Sequence, residues 1–130
     1  MKYGMEATRQ YRIKNVGPID PEVDPANSGM IGLLLSPITS KTGFLPAKQT
    51  TVNPNWAAVM VAMFKEVGAK EGDVIAMGFS ASFPAINLAT LVAAETLRLN
   101  VIAINSVGAS TWGANIPDLS LQKGIASSPT

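Results

Sequence analysis

The chain has 130 residues, which suits a single domain of ordinary size. Its 47% hydrophobic and 15% charged residues support a packed core and exclude a disordered chain. A formal net charge of +1 gives no electrostatic case for nucleic acid as a partner, and the absence of cysteine and histidine rules out disulfides, thiol chemistry, a Ser–His–Asp triad and a histidine-ligated metal within this chain.

Residues 1–14 mix charge with scattered apolar positions and read as a short helix. Lys2, Arg9, Arg12 and Lys14 are opposed there only by Glu6. Such a basic segment suits either a solvated face or the surface of an anionic membrane. Residues 15–29 carry Pro18, Pro21 and Pro25 with two glycines and read as irregular connecting chain. Met30–Leu35 is a short apolar run that predicts a buried strand, ended by Ser36-Pro37. Residues 36–53 are polar and turn-rich, longer than most connections, and of a kind that is often functional or mobile.

Asn53-Pro54 predicts a helix start, and Trp56, Met60, Met63, Phe64 and Val67 follow at spacings that place one apolar stripe on one face. Gly68 is a natural stop for that helix. Val74–Gly78 is a continuous apolar run, as in a strand covered on both faces. A second helix is expected over residues 84–99, with Ile86, Leu88, Ala89, Leu91, Val92, Leu97 and Leu99 available for burial, and a second strand over Val101–Ile104. Strand, helix and strand together have the length of a βαβ crossover, about 30 residues. The fold class expected is α/β: a mostly parallel sheet with flanking helices, Rossmann-like and three-layered, complete or truncated. It divides into a basic segment and connector at 1–29, an α/β domain at 30–118 and a tail at 119–130. No apolar run approaches the ~20 residues that cross a bilayer, and the N-terminus lacks the apolar centre of a signal peptide.

A βαβ unit brings the ends of its two parallel strands to one edge, where α/β proteins keep their sites. Both strand ends here run into hydroxyl-rich turns: Gly78-Phe79-Ser80-Ala81-Ser82, and Ser106 through Asn115 with Gly108, Ser110, Thr111 and Trp112. The first precedes a helix, whose unpaired N–H groups favour an anion. Ser82 equally serves as a helix cap, Trp112 as a core residue and Asn115 as a turn former. The first turn also approximates a Gly-x-Ser-x-Gly nucleophile elbow, with Ser82 in place of the final glycine. Without histidine, activation of Ser80 falls to a lysine from the long loop, Lys48 or Lys41. No paired carboxylates and no metal-ligand spacing are evident, and no cofactor is implied.

The segments Thr42-Gly43-Phe44-Leu45-Pro46-Ala47-Lys48-Gln49-Thr50, Asn53-Pro54-Asn55-Trp56-Ala57-Ala58, Gly72-Asp73-Val74, Ser80-Ala81-Ser82-Phe83-Pro84-Ala85-Ile86-Asn87 and Ser106 through Asn115 occur in this order. In them the chain resembles the poly-gamma-glutamate system protein family of bacterial capsule synthesis, over roughly residues 28–118. Past Asp118 the family pattern continues with an aromatic and acidic segment, where this chain has Leu119-Ser-Leu-Gln-Lys-Gly124. The resemblance implies an accessory role in making or exporting poly-gamma-glutamate at the cell envelope, beside membrane-bound synthesis machinery, although the chain itself shows no anchor. Combined with the turns, it suggests a site for poly-gamma-glutamate or another carboxylate ligand built from Lys48, Thr50, Ser80, Ser82, Phe83, Asn87, Ser106, Gly108, Ser110, Trp112 and Asn115. The alternative is a serine-nucleophile hydrolase or acyltransferase acting on the polymer, with Ser80 and Lys48 as catalytic candidates. A homo-oligomer is compatible with either.

Overall fold

A computed structural model describes residues 1–119 as a mixture of helices and short strands. They are α1 (Lys2–Asn15), β1 (Thr39–Lys41), α2 (Leu45–Thr51), α3 (Trp56–Glu66), β2 (Val74–Phe79), α4 (Pro84–Thr96), β3 (Asn100–Asn105) and β4 (Ala109–Ser110), followed by a single 3-10 turn at Pro117–Leu119. The tail expected beyond Leu119 lies outside the described residues.

The βαβ unit forms as expected. β2 and β3 pair in parallel and in register from Val74 opposite Asn100 to Phe79 opposite Asn105. α4 between them buries Ala85, Ala89 and Ala93, a stripe at four-residue spacing small enough for close approach, together with Ala94 and the polar Asn87. Leu99 is buried too, whereas Ile86, Leu88, Leu91, Val92 and Leu97 are half-buried. α3 packs against α4. Its helix begins later than Asn53-Pro54 suggests, because Asn53 forms a turn of its own, its Oδ1 accepting the Asn55 N–H at 2.9 Å. Its stripe buries Trp56, Met60 and Phe64 only in part, and leaves Met63 and Val67 exposed. Gly68, at φ +79, ends α3 with its own N–H on the Lys65 carbonyl and that of Ala69 on Phe64.

Three expectations are corrected. First, the strands form two separate parallel pairs, β2–β3 and β1–β4, so the described residues are α/β with short parallel strands in two small sheets. Second, β2 and β3 are covered on one face only. Ile75, Met77 and Phe79 point inward, while Val74, Ile102 and Ile104 stand 65%, 62% and 79% exposed on the other face. Third, Met30–Leu35 is not a strand. It bonds instead to the second serine turn, with the Gly32 N–H on the Trp112 carbonyl at 3.0 Å and the Trp112 N–H on the Leu33 carbonyl at 2.8 Å. Met30 and Ile31 are buried; Leu33, Leu34 and Leu35 emerge progressively into solvent.

The stretch at 36–53, read as loop, contains β1 and α2. α2 is seven residues long with Pro46 in its first turn, where a missing N–H costs nothing. The principal core cluster lies between α1, the 30–31 segment and the start of α4: Met5, Met30, Ile31, Val52 and Ala85, with Trp112 and Leu88 packed on it. α1 therefore turns part of its basic face inward. Arg12 is buried and donates to the Ile31 carbonyl, and burial lowers its pKa against the opposing effect of Asp24. Asp24 is itself buried and accepts the Ser28 hydroxyl at 3.0 Å and the Gly29 N–H at 2.8 Å.

Candidate functional site

The parallel register of β2 and β3 delivers Phe79 and Asn105 side by side, so the two serine turns leave from one edge. They are bonded to each other along their length. The Ala81 N–H donates to Ser106 Oγ at 2.9 Å, the Ala114 N–H to the Ala81 carbonyl at 2.7 Å, and the Ser110 N–H to Ser82 Oγ at 3.0 Å. Ser82 thus caps the other turn rather than α4, whose N-cap position, Phe83, makes no side-chain hydrogen bond to the helix.

Lys48 enters this junction from α2. It is 3% exposed, although lysine is among the residues least often fully buried. Its Nζ donates to Ser110 Oγ at 2.8 Å and to the Ser82 carbonyl, and it sits 3.7 Å from the centroid of the Phe83 ring. The short helix α2 makes this reach possible: it fixes the lysine on the side of the helix that faces both turns. Among the described residues no carboxylate pairs with the ammonium. Burial, and then the positive charge of Lys41, lower its pKa from the ordinary 10.5 to about 8.

The remaining candidates divide by position. Ser80 and Ser106 are exposed at the rim. Ser80 Oγ accepts the Ser82 N–H at 3.2 Å, and Ser106 donates to the Gly108 carbonyl at 3.0 Å. Of the two serines, Lys48 bonds to Ser110 rather than to Ser80, the partner expected from the sequence. Asn87 is buried and holds the first turn from below, donating to the Ser80 carbonyl at 2.8 Å. Asn115 is fully buried and turned away from the junction. Its amide accepts the Leu33 N–H at 2.8 Å and donates to the Leu33 carbonyl at 2.8 Å and to Thr39 Oγ1 at 3.0 Å. It fastens the 30–35 segment to the second turn. Trp112, at φ +65, packs on the core and closes it, held in that sparsely populated conformation by its two backbone bonds to the 32–33 segment. Thr50 bonds within its own helix, to the Pro46 carbonyl at 2.9 Å, and does not join the cluster.

Searches against protein-family models, curated proteins and solved structures found no match to the chain. The site is therefore argued from its geometry.

Two participants have no counterpart among the expected binding residues. Gly43 lies directly over the Ser110 hydroxyl: a Cβ there would stand 3.0 Å from Ser110 Oγ and 2.5 Å from the Thr111 carbonyl oxygen. Its N–H donates to Thr111 Oγ1. The signal that was available is Thr42-Gly43 immediately before α2, a flexible step beside the lysine helix. The second is Lys41, at the end of β1, which the sequence offers as an alternative activator of Ser80 and not as a binding residue. Among the described residues no cluster of three or more acidic side chains is placed to hold a metal. A cavity of about 520 Å³ is lined by residues including Phe79, Pro84, Asn87, Leu88, Leu91 and Ile116, and Lys48 does not line it.

Proposed function

We propose that the chain binds a carboxylate-bearing ligand at the edge where the two serine turns meet. Its setting is that implied by the sequence resemblance: an accessory component of poly-gamma-glutamate synthesis or export at the cell envelope, working beside membrane-bound machinery. The observation that carries the binding reading is the Lys48 ammonium, buried against both turns with no carboxylate paired to it among the described residues. A buried cation of this kind favours an anion nearby, because the low dielectric around it strengthens the attraction. Lys41 adds a second positive charge on the same side. The exposed hydroxyls of Ser80 and Ser106 supply donors at the rim. Poly-gamma-glutamate carries one free carboxylate per residue and fits such a site chemically.

The architecture read for this role is a three-layer α/β sheet. The apolar outer face of β2–β3, with Val74, Ile102 and Ile104, is the surface a third layer would cover. Among the described residues no helix is long and apolar enough to cross a membrane.

The test is a calorimetric titration with γ-linked glutamate oligomers at low and high salt. Wild-type chain should bind, more weakly at high salt. Lys41→Ala and Ser80→Ala should each weaken binding while leaving the thermal midpoint unchanged. Equal affinity for all three proteins, or no binding by any, rejects the reading.

A further inference from the structure

We infer that Ser110 and Lys48 form a nucleophile–base pair for acyl transfer, acting on an ester or amide acyl donor that carries a carboxylate. The carboxylate part of that substrate class rests on the ligand reading above; the pair itself does not.

The geometry is that of a serine–lysine dyad. Lys48 Nζ lies 2.8 Å from Ser110 Oγ, the distance across which a general base takes a proton. The lysine is oriented by two further groups, the Ser82 carbonyl and the face of Phe83. A neutral amine has two N–H groups and one lone pair. The ammonium donates to Ser110 Oγ; once it loses a proton, its N–H groups stay on the Ser82 carbonyl and the Phe83 face, and the lone pair replaces that donation by accepting the Ser110 hydroxyl. Burial favours that neutral form, and so does Lys41. A purely mechanical tie between α2 and the turns would not call for a group so costly to bury.

The steps balance without any co-reactant but water. As Ser110 Oγ attacks the acyl carbon, the C–Oγ bond forms and the hydroxyl proton passes to Lys48 Nζ. The tetrahedral adduct then collapses, the C–N or C–O bond to the leaving group breaks, and that nitrogen or oxygen takes the proton from Lys48. Water adds to the acyl-serine and gives its proton to Lys48. The C–Oγ bond breaks, and Ser110 Oγ recovers the proton. Ser110 is 3% exposed because the Gly43 loop stands over it, so the loop must lift for substrate to enter. It is held by the Gly43 N–H on Thr111 Oγ1, and the adjoining Phe44 is 70% exposed and contributes little to keeping it shut.

The experiment is covalent labelling of the full chain with a fluorophosphonate, read by intact mass and peptide mapping. A single adduct at Ser110 is expected, lost in Ser110→Ala and slowed by about 100-fold or more in Lys48→Met. No adduct, or an adduct at Ser80, overturns the pair. Because Ser110→Ala risks the fold, a second measurement uses Ser110→Cys, the only thiol in a chain without cysteine. Its alkylation by iodoacetamide at neutral pH should be about tenfold faster with Lys48 present than in Ser110→Cys/Lys48→Met, since an adjacent ammonium favours the thiolate. Equal rates overturn the pair. Neither readout involves the glutamate oligomer, so failure here leaves the binding titration standing, and failure there leaves the pair standing.

Discussion

Lys48 Nζ and Ser110 Oγ meet at 2.8 Å although 62 positions separate them in sequence. The contact ties α2 to the turn that follows β3, and it does so with a charge that no acidic side chain among the described residues pairs with. Its energetic signature is a pH dependence.

In the folded chain Lys48 titrates near pH 8, below the ordinary lysine value of 10.5. Between these values the unfolded chain holds more protons at this position than the folded one, so stability rises with pH across that window. Below pH 8 the folded chain carries the full penalty of a buried ammonium; above 10.5 neither state does. Among the described residues, Lys41 on β1 is the charge that bears on Lys48 from a neighbouring element, and its effect has the same sign as burial. Urea denaturation of wild type and Lys48→Met from pH 7.5 to 10.5 isolates this residue, because the other groups titrate in both proteins. The difference in unfolding free energy should move in favour of the wild type as pH rises. A pH-independent difference would mean that Lys48 titrates normally.

Asn115 makes the opposite kind of buried polar contact, one that is fully matched. Its amide satisfies both the N–H and the carbonyl of Leu33 and reaches Thr39. Asn115→Ala strands those backbone groups in the interior, which should cost about 2–4 kcal/mol. Equilibrium denaturation reads the loss. Protease cleavage should increase first at residues 33–36, because the released segment already exposes Leu34 and Leu35.

The βαβ unit was legible because its signals are local. Val74–Gly78 and Val101–Ile104 are apolar runs bounded by turn formers, and the alanines of α4 favour helix wherever they are placed. That two serine turns share one edge follows from the parallel pairing alone. What was not legible depends on distant partners. α2 is seven residues with a proline and four polar side chains, too short to show a period. Burial of Lys48 is decided by groups 34 and 62 positions away. Met30–Leu35 is as apolar as a strand, but its hydrogen bonds go to one turn and one asparagine. Apolar runs likewise do not reveal how many faces are covered, and β2–β3 has one bare.

That bare face makes its own prediction. Ile102 and Ile104 stand on the same side of β3 and touch little, so Ile102→Thr/Ile104→Thr removes exposed apolar surface without opening a cavity. Threonine keeps the β-branched shape that suits a strand. The double variant should bind a surface-hydrophobicity dye such as ANS less strongly than wild type. Its denaturation midpoint should change by no more than about 0.5 kcal/mol-equivalent, the range of ordinary surface substitutions. A large loss of stability would mean that this face is covered in solution.

The two glycines that differ most in their surroundings test the packing of the site's scaffold. A Cβ on Gly32 would stand 1.9 Å from the Gly113 carbonyl oxygen and 2.2 Å from Asn115 Oδ1, whereas one on Gly78 meets nothing within 4 Å. Neither position has a positive φ, so the contrast is steric rather than conformational. Gly32→Ala must push apart the 30–35 segment and the second serine turn, both of which are backbone at the point of contact. The cost should reach about 3 kcal/mol, the upper end for overpacking. Gly78→Ala replaces the most flexible residue within a strand and should be neutral or stabilise by about 0.5 kcal/mol. The same pair separates scaffold from chemistry. Gly32→Ala displaces the turn that carries Ser110 and should slow fluorophosphonate labelling in proportion to the structural damage, while Gly78→Ala should label like wild type. Equal stability of the two variants would show that the 30–35 segment does not rest on the turn as the Leu33, Trp112 and Asn115 hydrogen bonds require.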